Sequence, residues 1–278
     1  MTHSLETPIP GIPLAILDVE TTGLSPGRGD RVCEVAVLRV RNAEETGAWE
    51  TLIDPVRPIS PGASAVNGIT DAMVRGAPRF EAVADRLLAE IGDAVLVAHN
   101  SAFDLGFLRA EFRRAGRELP DLPVLDTLLL ARRRFTFPSN SLPRIAAAFE
   151  LPTPFAHRAM GDVRTTCQVL HRLLRMEPLA DVTTLGGLME AQGGARTTRP
   201  AEEGAGTILP ATVEEAMRKH RALRIAYVDA AGRRTERVIE PVRLKEGAGD
   251  AVYLVALSGE KKEERNFRID RIVGLDPA

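Results

Sequence analysis

Residues 14–23, LAILDVETTG, limit what this chain can fold into more than any other segment. Four apolar residues lead into Asp18, Val19 and Glu20, and a Thr-Thr-Gly sequence then ends the run, which is typical of a buried strand followed by a turn. Side chains on a strand alternate between its two faces, so Asp18 and Glu20 share one face, with Cα atoms roughly 6.6 Å apart. The segment therefore predicts a strand that ends in two neighbouring carboxylates.

These carboxylates need positive charge nearby if they are buried. No Lys or Arg precedes Arg28 in the sequence, and an unpaired buried carboxylate destabilises the fold. Magnesium and manganese prefer oxygen ligands, so a divalent ion would compensate the charge. The alternative is a pair of solvated acids on an edge strand, and this segment alone is compatible with both.

The overall composition is that of a soluble globular protein. The 278 residues, 44% hydrophobic and 27% charged, suffice for one large domain or two smaller ones. Cys33 and Cys167 lie in apolar patterns, which predicts core residues rather than a disulfide or a zinc site. The first residues lack a signal-peptide pattern and no apolar run reaches 18 residues, so we expect a cytoplasmic protein without membrane contact.

The charge distribution offers one candidate nucleic-acid surface. A net charge of −2 does not by itself indicate a nucleic-acid binder. Three arginines at 132–134 stand beside Phe135 and Phe137, a combination that can track a phosphate backbone. A solvated helix end is the alternative explanation.

Periodicity predicts an α/β domain with a mixed sheet. Three strands separated by turn-length gaps form a meander, and alternating helices and strands follow. The predicted strands are 14–20, 31–40, 49–53, 94–98 and 123–125, and the predicted helices are 69–74, 80–91, 101–116, 127–133, 142–149 and 159–176.

A change in composition predicts a second domain. Residues 178–210 are rich in Gly, Thr, Pro and Glu, which is typical of a flexible linker, so the first domain is assigned to residues 1–177. Residues 211–278 predict a short helix at 213–220 and then a small all-β barrel. Its predicted strands are 223–228, 234–239, 252–257 and 264–269, with hairpin turns at Gly232 and Gly259.

A second polar cluster follows the predicted strand 94–98. Asp104 lies in the first turn of the next helix, close to where α/β sheets build their sites. Ser101 and Asp104 also match a capping box, which is the structural alternative. The loop residues His99 and Asn100 are either turn residues or substrate contacts, and Phe103 suits either the core or stacking on a base.

A third cluster, HRAMGD at residues 157–162, opens the last helix of the first domain. Asp162 there would ordinarily cap the helix or interact with its dipole. The spacing also lets His157, on a loop, act as a general base beside an acid held by the helix.

Together, DVETTG, HNSAFDLGFL and HRAMGD resemble the three exonuclease motifs of the DEDD superfamily, in its DEDDh branch typified by the epsilon subunit of bacterial DNA polymerase III. The resemblance covers residues 12–176. It implies an RNase H-like fold and 3′ to 5′ exonuclease activity with two magnesium or manganese ions. The sibling branch carries Tyr where this chain has Arg158.

The resemblance also implies a role for each residue. Asp18, Glu20, Asp104 and Asp162 become metal ligands and His157 the general base, and Asp18 is the candidate to bridge both ions. Contacts to the terminal nucleotide are expected from Thr21, His99, Asn100 and Phe103. The expected substrate is the 3′ end of single-stranded DNA or RNA, with DNA preferred.

The C-terminal residues resemble a WYL domain, a small Sm-like β-barrel associated with ligand or single-stranded nucleic-acid binding. Val252 stands where the name-giving Trp is expected. Tyr253, Arg268 and Arg271 would form its nucleic-acid surface, or the arginines would pair with acids of the barrel. Two other functions remain open: a catalytically idle nucleic-acid or ligand sensor, and a proofreading subunit that assists a DNA polymerase or a repair partner.

Overall fold

In a computed structural model, the described residues are 3–137, 140–199, 213, 216–217, 219–229, 233–246, 252–259, 262–268 and 272–278. The first five strands are β1 (Leu14–Thr21), β2 (Val32–Arg41), β3 (Glu44–Leu52), β4 (Val95–Ala98) and β5 (Val124–Asp126). The helices are α1 (Pro61–Asn67), α2 (Asp71–Val74), α3 (Phe80–Ile91), α4 (Ser101–Arg114), α5 (Thr127–Arg134), α6 (Leu142–Ala148), α7 (Ala159–Leu173) and α8 (Leu185–Ala191).

These five strands form one mixed sheet in the order β3-β2-β1-β4-β5. β1, β2 and β3 are antiparallel neighbours, whereas β4 runs parallel to β1 and β5 parallel to β4. The ends of β1 and β4 and the start of β2 therefore lie at one edge of the sheet. The predicted meander followed by a mixed α/β sheet is confirmed.

The two faces of β1 belong to two separate cores. Ile16 packs in a cluster with Val163 and Cys167 of α7, whereas Ala15 and Leu17 pack with residues of α3 and α4. Asp18 and Glu20 continue the face of Ile16, toward α7, because strand side chains alternate. The prediction that both acids share a face is confirmed. Cys33 and Cys167 are buried free thiols, as predicted.

Helix α1 was not predicted, because Pro58 and Pro61 read as chain breakers. Pro61 instead occupies the first turn of the helix, where its missing N–H costs no hydrogen bond. The Ser60 side chain caps this helix by accepting a hydrogen bond from the N–H of Ala63, 3.1 Å away. A favourable first helical position thus outweighed the breaker signal.

The predicted linker begins too early. Helix α8 lies inside residues 178–210, and its Leu185, Leu188 and Met189 are buried in the same core as α7. Thr198 is also buried, and its backbone N–H donates to the Leu122 carbonyl. Residues 179–198 therefore belong to the first domain, and residues 200–212 lie outside the described residues.

The C-terminal strands are β6 (Leu223–Val228), β7 (Arg234–Glu246), β8 (Val252–Ser258), β9 (Glu263–Arg268) and β10 (Ile272–Pro277). They form a second, antiparallel sheet in the order β10-β6-β7-β8-β9, in agreement with a small all-β domain. β7 is longer than predicted and β10 was missed. Gly259 has a φ of 79° between β8 and β9, as its turn requires, whereas Gly232 lies outside the described residues.

Among the described helices, every one is too short or too polar to span a bilayer.

Candidate active site

Three carboxylates converge at the edge of the sheet where β1 ends. Asp18 and Glu20 come from β1, and Asp162 from the first turn of α7. One oxygen of each carboxylate lies within 4.8 Å of the others, close enough to hold a common metal ion. Residues distant in sequence thus meet because α7 packs on the face of β1 that carries both acids.

Asp104 lies beside these three carboxylates and does not form a capping box with Ser101. Its Oδ1 accepts a hydrogen bond from the N–H of Val19, 3.1 Å away and between the two acids of β1. The Ser101 hydroxyl donates to Asp126 instead, at 2.9 Å. The capping box with Ser101 is therefore not formed, although the carboxylate also accepts a hydrogen bond from its own N–H in the first turn of α4. Asp104 is 3% exposed and is tied to the site through Val19.

Burial and mutual repulsion raise the pKa of each acid. Desolvation, followed by the charges of Asp162 and Glu34, raises the pKa of Glu20 to about 8. Desolvation raises the pKa of Asp104 to about 8 and that of Asp162 to about 6. The pKa of Asp18 is also raised, by burial first and then by Asp104. The donor set is thus rich in oxygen, and protein groups compensate its negative charge only in part, which fits divalent magnesium-type ions.

This electrostatic imbalance predicts how stability depends on pH. An acid whose pKa is raised in the folded state stabilises the fold below its ordinary pKa, near 4, and loses that contribution as the pH rises through the folded value. Metal-free protein should therefore melt roughly 5 °C lower at pH 8.5 than at pH 5. Magnesium should reduce this difference. Differential scanning calorimetry across this pH range tests the prediction. A melting temperature that falls equally with pH in the presence and absence of magnesium would contradict it.

His157 lies on an exposed loop directly before α7. Its backbone has a φ of 63°, in the left-handed region, and its N–H donates to Oδ2 of Asp162, 3.2 Å away. The charge of His157 lowers the pKa of Asp162, opposing the larger effect of burial. The imidazole is thus close to the acids, and its exposure leaves it free to reach a substrate.

The next residue anchors this loop to the sheet. Arg158 makes a two-pronged ion pair with Glu34, with Nε 3.1 Å from Oε2, and Glu34 also accepts the N–H of Ala159 at 2.9 Å. Glu34 is 2% exposed and stands directly opposite Glu20 in the β1–β2 ladder. Sequence reasoning missed this pair; a glutamate inside an apolar strand was the available signal.

Gly161 lets the loop lie close to α7. A Cβ atom at this position would clash with the carbonyl oxygen of Phe155, so no side chain fits here without displacing the loop. The glycine of HRAMGD is thus required because the loop backbone at Phe155, two residues before His157, approaches α7 closely.

We expect Arg158→Gln to lower turnover about 100-fold, because the loop that carries His157 loses its anchor. It should also destabilise the protein by about 2 kcal/mol, less than a fully buried pair, since the Arg158 side chain is 40% exposed. Arg158→Lys keeps the positive charge but lacks the two-pronged guanidinium contact. Its turnover and stability should therefore lie between those of the unmodified chain and those of Arg158→Gln. Rates and melting temperatures measure both effects, and a wild-type rate in Arg158→Gln would contradict the role.

The structure divides the predicted substrate contacts into two pairs. Thr21 and Phe103 line a cavity beside Glu20. Both ring nitrogens of His99 are already engaged, by the Thr127 hydroxyl at 2.9 Å and the Asn140 carbonyl at 3.0 Å. Asn100 has a φ of 75° and its N–H donates to Asp126. His99 and Asn100 thus shape the loop, and their substrate contacts stay predictions.

Two residues near the site were not expected. Asp126 looks like a fifth acid, yet its carboxylate accepts hydrogen bonds from the start of α4 and the first turn of α5 and therefore caps both helices. Asn67, at the end of α1, donates to the Thr21 carbonyl at 3.4 Å and hydrogen-bonds Glu20, which lowers the pKa of Glu20 against the larger effect of burial. No role had been assigned to Asn67 from sequence.

Two predicted nucleic-acid surfaces lie outside this site, the arginine run at 132–134 and the face around Tyr253 in the C-terminal domain. Phe135 and Phe137 pack on the first domain's core, 5.9 Å apart between ring centroids, which favours the helix-end explanation of the arginine run. Tyr253 faces Arg268 across the β8–β9 ladder, whereas Arg271 lies outside the described residues. Their nucleic-acid contacts stay a prediction.

The acids of the C-terminal domain have arginine partners. Glu264 pairs with Arg243 at 2.6 Å, and Glu263 with Arg265 at 3.5 Å. These two acids are thus paired with Arg243 and Arg265, and the alternative that Arg268 or Arg271 pairs with acids of this domain stays a prediction.

Comparison with known proteins agrees with this geometry. The exonuclease family model of the RNase T type matches residues 15–170, and the WYL domain model matches residues 209–277. A DNA polymerase III subunit epsilon-like protein of Rhodobacter capsulatus is 37% identical over 66% of this chain and 27% of its own length. The 3′-5′ exonuclease DinG of Bacillus subtilis is 36% identical over 57% of this chain and 17% of its own length. The chain thus spans about a quarter or less of these relatives.

Solved structures share the fold. Exonuclease X, solved in complex with 5′ overhanging duplex DNA, is 29% identical and covers 65% of this chain and 99% of its own, with a TM-score of 0.53. E. coli exonuclease I in complex with a dT13 oligonucleotide covers 96% of this chain and 66% of its own, with a TM-score of 0.57 and 16% identity.

Proposed function

This chain belongs to the exonuclease family, and from that premise we propose that it removes nucleotides one at a time from the 3′ end of single-stranded DNA. The observation that carries the proposal is the convergence of Asp18, Glu20 and Asp162, with Asp104 and His157 beside them. The DNA-bound neighbours support DNA as the substrate, and RNA is the second substrate to test.

Each residue then has a role in phosphodiester hydrolysis. Asp18, Glu20, Asp104 and Asp162 would hold two divalent ions. When bound, such ions activate water and neutralise the charge of the transition state and the leaving oxygen. His157 takes the proton from the attacking water. Arg158 and Glu34 keep His157 in place, and Thr21 and Phe103 bind the terminal nucleotide.

Magnesium is the ion we favour, and manganese would serve in the same oxygen-rich site. We place the protein in the cytoplasm, where it would meet DNA ends. The epsilon-like relative supports a second candidate, an exonuclease that acts beside a DNA polymerase or a repair protein. A catalytically idle sensor is less favoured, because all five catalytic side chains are present.

The test is degradation of a 5′-labelled single-stranded DNA in magnesium. We expect a ladder that shortens from the 3′ end, release of 5′-mononucleotides, and complete arrest by EDTA. The same oligonucleotide as RNA measures the sugar preference. A chain that binds the DNA but leaves it intact in both magnesium and manganese would support the idle sensor and contradict the proposal.

A further inference from the structure

A cavity of about 180 Å³ lies next to the carboxylates and is built from both domains. Glu20 and Thr21, at the end of β1, line it toward the carboxylates. Val66 of α1 and Phe103 of α4 are apolar lining residues. The remaining wall includes Ile272, the first residue of β10 in the C-terminal domain.

The two domains touch at this cavity. Leu24, just after the turn that ends β1, lines the cavity and also packs against the hydrophobic core of the C-terminal domain. Ile272 belongs to that same core, is 9% exposed, and helix α1 contacts β10. The wall is thus continuous from the nuclease domain into the C-terminal domain.

The cavity suits one small, mainly apolar group with a charged end beside the carboxylates. Its volume is below the roughly 300–1,000 Å³ of sites for larger ligands. Nucleobases stack on aromatic rings such as that of Phe103, and aliphatic side chains pack against their faces. Glu20 at one end belongs to the acids expected to hold metal beside a phosphate. A single nucleoside with its phosphate at the acids matches this lining and chemistry.

We propose that the C-terminal domain completes the pocket for the 3′-terminal nucleotide, with Ile272 and Leu24 as its cross-domain wall. This rests on the proposed function and assigns the second domain a direct part in substrate binding. These two residues position the nucleotide; they do not contact the reacting phosphate. Their loss therefore raises KM and leaves kcat nearly unchanged.

The test uses the full chain with deoxythymidine monophosphate, the expected product, as the probe. Titration calorimetry in magnesium should show affinity about 10-fold weaker for Ile272→Ala and for Leu24→Ala, the scale of a lost aliphatic contact in a substrate pocket. KM for a single-stranded oligonucleotide should rise in parallel, with kcat within about twofold. Because the two side chains share one wall, the double variant should lose less than the product of the single effects.

The control is Val238→Ala, which truncates an aliphatic side chain 48% exposed on β7 and absent from the cavity wall. It should bind the nucleotide like the unmodified chain. If Ile272→Ala unfolds the C-terminal domain, as a melting curve would show, Leu24→Ala in the nuclease domain decides the question.

Two failures are distinguishable. Unchanged nucleotide affinity and KM in folded Leu24→Ala and Ile272→Ala would overturn this inference while leaving the exonuclease intact. An unmodified chain that releases no nucleotides from DNA would overturn the proposed function instead.

Discussion

Asp18→Asn is expected to reduce nucleotide release by about 10⁴-fold, the scale seen when one member of a catalytic group is removed. The substitution keeps the size of the side chain and removes its charge. Asp18 lies among the site acids, with one oxygen within 4.8 Å of an oxygen of Glu20 and of Asp162. Burial first, and then the charges of Asp104, Glu20 and Asp162, raise the pKa of Asp18.

The same substitution has a second, opposite consequence that a merely damaged fold would not show. Removing one of several repelling acids should raise the melting temperature of the metal-free protein above neutral pH. It should also reduce the fall of that melting temperature as the pH rises. Asp181→Asn, which neutralises an exposed acid, is the matched control and should change neither quantity. Near-normal activity in Asp18→Asn would contradict the assignment of this residue.

His157→Ala is expected to lower kcat by about 10³-fold, within the range for loss of a general base. The side chain is exposed, so the fold and the melting temperature should be almost unaffected. Imidazole added to the assay should restore part of the rate, because it can accept the same proton in the space left by the side chain.

The control is His3→Ala, since His3 hydrogen-bonds the carbonyl of Asp93 and lies outside the site. Single-turnover rates on a 3′-labelled oligonucleotide separate this loss from any change in binding. A His157→Ala variant with an undiminished rate would show that another group accepts the proton.

Much of the fold and site was predictable because local patterns and packing agreed. Alternation in residues 14–20 predicted that Asp18 and Glu20 share a face, and the two cores on either side of β1 confirm it. The period of residues 80–91 predicted α3 with its observed bounds. The order of the motifs predicted that Asp104, His157 and Asp162 lie close together. The helices that position these residues could be located from periodicity.

What could not be predicted depends on partners far apart in the sequence. Arg158 and Glu34 are separated by 124 positions, and neither has a local pattern that names the other. Helix α8 lay hidden in a glycine-rich segment, although Leu185, Leu188 and Met189 have helical spacing. Composition favoured a linker there, and burial against the first domain's core outweighed it.

The cavity between the domains was out of reach for a similar reason. Ile272 and Leu24 meet only once both domains are folded and packed together. No motif links a strand of the C-terminal sheet to the turn after β1, so the sequence supported a separate nucleic-acid surface at Tyr253 and Arg268 instead.

Whether these acids hold metal is decided by the number of manganese ions bound per chain, measured by electron paramagnetic resonance with Mn²⁺ titrated into metal-free protein. We expect about two ions per unmodified chain, since two-metal sites place their ions side by side. Binding should be substantially lost in Asp18→Asn and unchanged in Asp181→Asn. An unmodified chain that takes up no manganese, or that binds it equally well without the Asp18 carboxylate, would contradict the claim that these acids converge to hold metal.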